Sequence, residues 1–113
     1  MAIPTGSGTE VLKRATLHAA GSGWTEILSG TPHHIYTILS IIGMDANGVG
    51  GTINIRINDG SNDIQILGSQ AVDVAGTFVW NDKFVMEGDD DLDIYASAAG
   101  FDWYLTYIDQ DWS

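Results

Sequence analysis

Apolar and polar residues alternate with a period of two through most of the chain. In "TINIRIND", Ile53, Ile55 and Ile57 project to one side and Thr52, Asn54, Arg56 and Asn58 to the other, as in a half-buried strand. "FDWYLTYID" sets Phe101, Trp103, Leu105 and Tyr107 against Asp102, Tyr104, Thr106 and Ile108. In "TFVWNDKFV", Phe78, Trp80 and Phe84 share a side that Asp82 interrupts. "HIYTILSII" is apolar on both sides, the pattern of a central strand covered on both faces. No window of twelve residues keeps a helical stripe, and β-branched and aromatic residues dominate the runs.

These runs predict strands at 10–18, 24–29, 34–43, 52–59, 63–67, 77–85, 92–98 and 101–109. Short strands at this spacing with Gly-rich breaks predict an all-β fold, an antiparallel β-sandwich or jelly roll of about eight strands. "DGSND" at 59–63 is a hairpin signal, because Asp-Gly supplies the positive φ of a tight turn. "AAG" at 98–100 is expected to turn the last pair of strands, and "MDANGVGG" at 44–51 reads as a mobile loop. Residues 1–9 show no apolar periodicity and read as a flexible arm, which leaves 10–113 as one domain.

Charge narrows the function. Fifteen Asp and Glu face four basic residues, Lys13, Arg14, Arg56 and Lys83, for a formal net charge of -11. Such a surface repels phosphate backbones and anionic headgroups, so neither nucleic acid nor membrane is an expected partner. The chain has no cysteine, hence no disulfide, thiolate nucleophile or cysteine-ligated metal. The apolar run at 35–42 is far short of the roughly 20 residues that span a bilayer. The first residues, "MAIPTGSGTE", show no basic stretch followed by an apolar one, so no secretory signal is expected.

The densest candidate chemistry is "FVMEGDDDLDIYA". Gly88 precedes Asp89, Asp90 and Asp91, so the glycine and ligand spacing of an EF-hand is missed. Adjacent strand carboxylates point in alternate directions. The segment reads as a solvated turn whose charge keeps flanking strands from pairing with other chains, and no metal is expected there. His33 and His34 are neighbours and would diverge on a strand, which disfavours joint chelation. No Gly-x-Ser-x-Gly elbow and no phosphate-cradling glycine loop occurs, so no catalytic residue and no cofactor is assigned. Five residues are candidates for partner contact. Ile3 and Pro4 form a small apolar anchor in the uncharged arm, and Lys13 and Arg14 behind it are half of all basic residues. Trp112 follows "DQD" beyond the last expected strand; it either folds back on the sandwich or anchors a partner.

The runs "WTEILSGTPHHIYTILSII", "INIRINDG" and "KFVMEGDDDLDIYASAAGFDWYLTYID" resemble small virion proteins of tailed bacteriophages. In those chains a Leu-Glu-Gly-Asp-like turn leads into an "L-x-I-x-A-S-A" strand and a final Tyr-rich strand. The resemblance spans about residues 24–109. It implies a β-sandwich with a structural, non-enzymatic role in the virion, as a capsid decoration (cement) protein or at a head–tail, tail or fibre position. The expected partners are the major capsid protein, other virion proteins and further copies of the chain, a trimer being favoured. The expected location is the virion, assembled in the host cytoplasm. Exposed Tyr and Trp would also stack on sugar rings, so a carbohydrate- or receptor-binding module is the rival reading.

Overall fold

Alternation of this kind can be satisfied only by pairing each strand and burying one of its faces. In the computed structural model, which describes residues 9–112, nine strands do so: β1 (Thr9–Ala20), β2 (Gly23–Ser29), β3 (His34–Asp45), β4 (Gly51–Asn58), β5 (Asp63–Val72), β6 (Thr77–Trp80), β7 (Phe84–Glu87), β8 (Asp91–Ala96) and β9 (Phe101–Asp111). They form two antiparallel sheets. The first has the order β1-β9-β3-β6, with β7 also paired to β3, and the second has the order β2-β8-β4-β5. The chain passes repeatedly from one sheet to the other, and the last two strands lie inside the sheets, giving the all-β jelly roll. The arm residues 1–8, Ile3 and Pro4 among them, lie outside the described residues, while Thr9 already pairs with Asp111 in β1.

The core sits between the sheets. The second sheet contributes Ile53, Ile55 and Ile57 from β4 and Leu92 and Ile94 from β8; the first contributes Phe101, Trp103, Leu105 and Tyr107 from β9. The expected inward sets of β4 and β9 are therefore those found. Each fully enclosed Ile, Leu or Phe stabilises the fold by about 1.5–3 kcal/mol relative to exposure.

Three expectations change. Segment 77–85 is two strands, because β6 pairs with Ile41–Met44 of β3 and β7 with Ile35–Ile38, leaving 81–83 as a break. The Trp80 Nε1–H donates to the Asp82 carbonyl at 2.8 Å across it. The turn at 98–100 does not join a hairpin: β8 belongs to the second sheet and β9 to the first. Alternation reports faces, not partners. Finally, β3 is apolar on both sides without being covered on both. A bulge between Ile38 and Ser40 resets its phase, so that Tyr36, Ile38 and Ile41 all point inward while Ile35 and Ile42 point out. The 59–63 hairpin is present, joining β4 to β5 with Asn58 opposite Asp63 and Gly60 at φ 93°.

Candidate interaction surfaces

The outward positions of the first sheet follow from its register. Rungs such as Thr16–Tyr104–Ile42–Val79 cross the whole sheet. Leu12, Val79 and Val85 on this face are 69%, 54% and 57% exposed, with Met44 and Tyr104 also exposed and Ile35, Ile42 and Ile108 half-buried. Its charged groups are Arg14, whose guanidinium lies 5.8 Å from the Tyr104 ring centre, Glu10, which accepts from Gln110 Nε2 at 2.6 Å, Asp102 beside His18 at one end, and Glu87 on β7. A groove of about 290 Å³ crosses β1, β9 and β3, lined by Thr16, His18, Ile42, Met44, Asp102 and Tyr104, with Leu17 and Trp103 beneath.

The outward face of the second sheet has the opposite chemistry. Asp91 and Asp93 alternate with core residues on β8, and Glu26 faces them from β2. Burial, and then the charges of Asp91 and Asp93, push the Glu26 carboxyl above its ordinary value. Arg56 lies against this cluster with Nε 3.1 Å from Asp93 and Nη1 3.4 Å from Asp63. Its guanidinium stacks 3.8 Å from the Trp24 ring centre, and Trp24 meets Tyr95 at 5.3 Å. One flat side of Trp24 is thus already occupied.

The sequence candidates fall in different places. Lys13 points inward at the end of the first sheet, its Nζ donating to Asp109 Oδ2 at 2.9 Å; His34 Nδ1 lies 2.7 Å from Asp109 Oδ1. Burial alone would raise the Asp109 pKa, but the hydrogen bonds from Lys13 and His34 outweigh it and hold the carboxyl below its usual range. Arg14, the next residue, points outward. Trp112 follows β9 directly, and its backbone N–H donates to the His33 carbonyl at 2.9 Å. The ring is half-buried, and Nε1 is enclosed without a partner among the described residues. The acidic segment is a tight turn between β7 and β8. Asp90 N–H donates to the Glu87 carbonyl, Asp90 Oδ2 accepts from Glu87 N–H at 3.0 Å, and Asp89 takes φ 79°. Among the described residues no three His, Asp or Glu side chains converge as metal ligands.

Asp45 is the residue that sequence reasoning missed. It is fully buried, and its carboxylate accepts backbone N–H groups of Gly48 at 3.1 Å, Gly50 at 2.5 Å and Ala75 at 3.1 Å. The Gly50 bond is the largest of the effects that lower its pKa, and together the backbone donors outweigh burial. The glycine-rich segment expected to be mobile is therefore tied at both ends of a bridge to the β5–β6 turn. The signal was present: an Asp three residues before a glycine is a common acceptor of local backbone N–H groups.

No protein-family model and no curated protein sequence matches the chain. Among solved structures it is similar to a protein in the acidic stable capsid of Helicobacter pylori bacteriophage KHP30, at 8% identity over 95% of this chain and 91% of that one, with a TM-score of 0.55. A second likeness is to the protein whose Bacillus endospore appendages form disulfide-linked pili, at 17% identity over 100% and 97% of the two chains, with a TM-score of 0.50. A third, to a pentameric capsid protein from metagenomic phage sequences, has 13% identity and a TM-score of 0.45, with this chain spanning 64% of that one. At such identities the first two likenesses establish the jelly-roll fold.

Proposed function

We propose that the chain is a non-enzymatic structural protein of a bacteriophage virion, carried on the outside of the shell as a decoration (cement) protein. The observation that carries this reading is the division of the jelly roll into an apolar outer face and an acidic one. One suits attachment within an assembly; the other suits water. The two likenesses that establish the fold support it, since both proteins belong to large assemblies, a phage capsid and a pilus. A head–tail, tail or fibre position is the alternative within the same class. The partners are the major capsid protein and further copies of the chain.

Docking on the shell is assigned to the end of the first sheet where Thr9 pairs with Asp111. That end brings β1, with Arg14 exposed, beside Trp112. The arm with Ile3 and Pro4 belongs to the same proposal, as the segment that meets the shell. Lys13 is engaged by Asp109, so Arg14 is the better cation for a partner.

Sedimentation of purified chain with shells that lack it is the test. Binding at a fixed ratio to the major capsid protein is expected, weakened several-fold by deleting residues 2–8 without loss of fold. No co-sedimentation, with binding to a glycan array instead, would favour the carbohydrate-binding reading, for which the exposed Trp24 beside the half-buried Tyr95 is the structural ground.

A further inference from the structure

We propose that the outer edge of β1 is a pairing site for a second copy of this chain. The two β1 strands run antiparallel about a two-fold axis at Leu12 and join two first sheets into one. Such pairing goes beyond the assembly role and needs no virion to test.

The rims of the two sheets differ as templates. A strand at a rim presents a row of N–H and C=O groups with no partner on that side, and bulges, prolines and short length keep such rows from pairing. β2 has seven residues and a register break between Glu26 and Leu28. β5 is bulged against β4 on either side of Ile55. β6 and β7 have four residues each. β1 has none of these protections over its first part: Thr9 to Leu17 hold one register against β9, and the strand contains neither proline nor glycine. No described strand pairs with its other side. An inward lysine at an edge is a further protection, but Lys13 is drawn back along its own sheet to Asp109. Leu12 stands on this edge 69% exposed, more than any other large apolar side chain among the described residues.

The side chains choose both occupant and register. A two-fold axis perpendicular to the sheet keeps outward residues on the outward side, so even positions of one β1 must face even positions of the other. An axis at Lys13 or at Arg14 would set that residue against itself, and like charges directly opposite are destabilising. An axis at Val11 would set Glu10 against Leu12. The axis at Leu12 sets Leu12 against Leu12, Glu10 against Arg14 twice and Val11 against Lys13 twice, over positions 9–15 of each strand. Opposite charges and apolar side chains that face across a ladder both stabilise it, and the Lys13 stem covers Val11. Charge also places the contact here. Two copies of net charge -11 repel in general, and Lys13 and Arg14 are half of the basic residues, whereas Arg56 is held by Asp93 and Asp63. With Glu10 and Asp109 beside those two cations, the edge is mixed in sign, which suits its own copy better than a uniformly acidic partner.

Light scattering at tens of micromolar should give the mass of two 12.1 kDa chains. The chain has no cysteine, which permits a register test. In the pair, the two Leu12 Cα atoms lie about 4.5–5.5 Å apart, within reach of a disulfide. The two Thr16 positions lie about 27 Å apart. Leu12→Cys should therefore oxidise to a covalent two-chain species at least ten-fold faster than Thr16→Cys. Glu10→Arg and Arg14→Glu should each be monomeric with near-UV circular dichroism unchanged. Mixed together they should pair, because every Arg then faces a Glu. Deleting residues 2–8 should leave the pair intact. A monomeric parent, a three-chain mass, equal cross-linking at Leu12 and Thr16, or failure of the charge-reversed mixture to pair would each overturn the proposal. A pair that forms only after the deletion would also overturn it, by assigning the edge to the chain's own arm. An intact pair that fails to bind shells would count against the virion reading and leave this edge standing.

Discussion

Gly43 and Asp45 occupy successive inward positions of β3, and each is dictated by what lies across from it. A Cβ at Gly43 would stand 2.8 Å from Trp103 Cζ3 and 3.0 Å from Cε3, so the glycine makes room for the largest side chain of the core. Gly43→Ala is expected to lower stability by about 1–3 kcal/mol through overpacking, although alanine is otherwise the better residue inside a strand. A rise in melting temperature would show that Trp103 can move aside. Asp45 is inward for the same reason of phase, but the sequence hides it. Counting by twos from Tyr36 and Ile38 puts Ile41, Gly43 and Asp45 on the outer side, and only the bulge at 38–40 returns them to the core. The shift costs one residue, and one-residue slips are what a period of two cannot reveal.

Among elements, those with strict alternation and a local turn were legible. β4 and β9 show their inward residues directly, and the β4–β5 hairpin shows its turn. The acidic segment was legible as a turn because its polar residues outnumber any use for them in a strand. Its close packing was not. A Cβ at Gly88 would collide with the backbone of Thr31 and Pro32, so the turn is pressed against the β2–β3 connection. Asp89 bears the cost of that geometry at φ 79°, a left-handed conformation that glycine adopts without steric penalty. Asp89→Gly should therefore stabilise the protein by about 0.5–1 kcal/mol, with some help from the lost like charge. A lower melting temperature would assign the Asp89 side chain a structural part. Strand partners were not legible at all. Nothing in the apolar pattern of β9 says that it lies between β1 and β3, because pairing joins segments about 60 to 100 residues apart through backbone groups that every residue carries. The apolar outer side of β3 is visible in the sequence, and the single chain leaves it open.

At the scale of the whole molecule, charge sets the response to acid. Asp45 and Asp109 are held below the ordinary carboxylate range. Their contribution is complete above about pH 4, the unfolded-chain value, and is lost as the pH falls through the lower folded values. Glu26 acts in the other direction. Its raised pKa means that its ionised form opposes folding at neutral pH, and protonation relieves that together with part of the net repulsion. The melting temperature is expected to rise as the pH is lowered from 7 to about 5 and to fall below about 4. Thermal melts followed by circular dichroism across this range check the shape. Asp45→Asn should lower the curve at neutral pH and flatten its acid limb, and a steady decline from pH 7 would contradict the balance described. The strand order has a further consequence, in the time of synthesis. β8 and β9 are made after all the other described strands, yet each lies inside a sheet, β8 between β2 and β4 and β9 between β1 and β3. At about 5–20 residues per second, β1 waits on the order of 5–20 s for its partner. Until then its apolar residues have no sheet to join. Only β4 with β5 and β3 with β6 and β7 can pair earlier, so both sheets close only once β8 and β9 have been made.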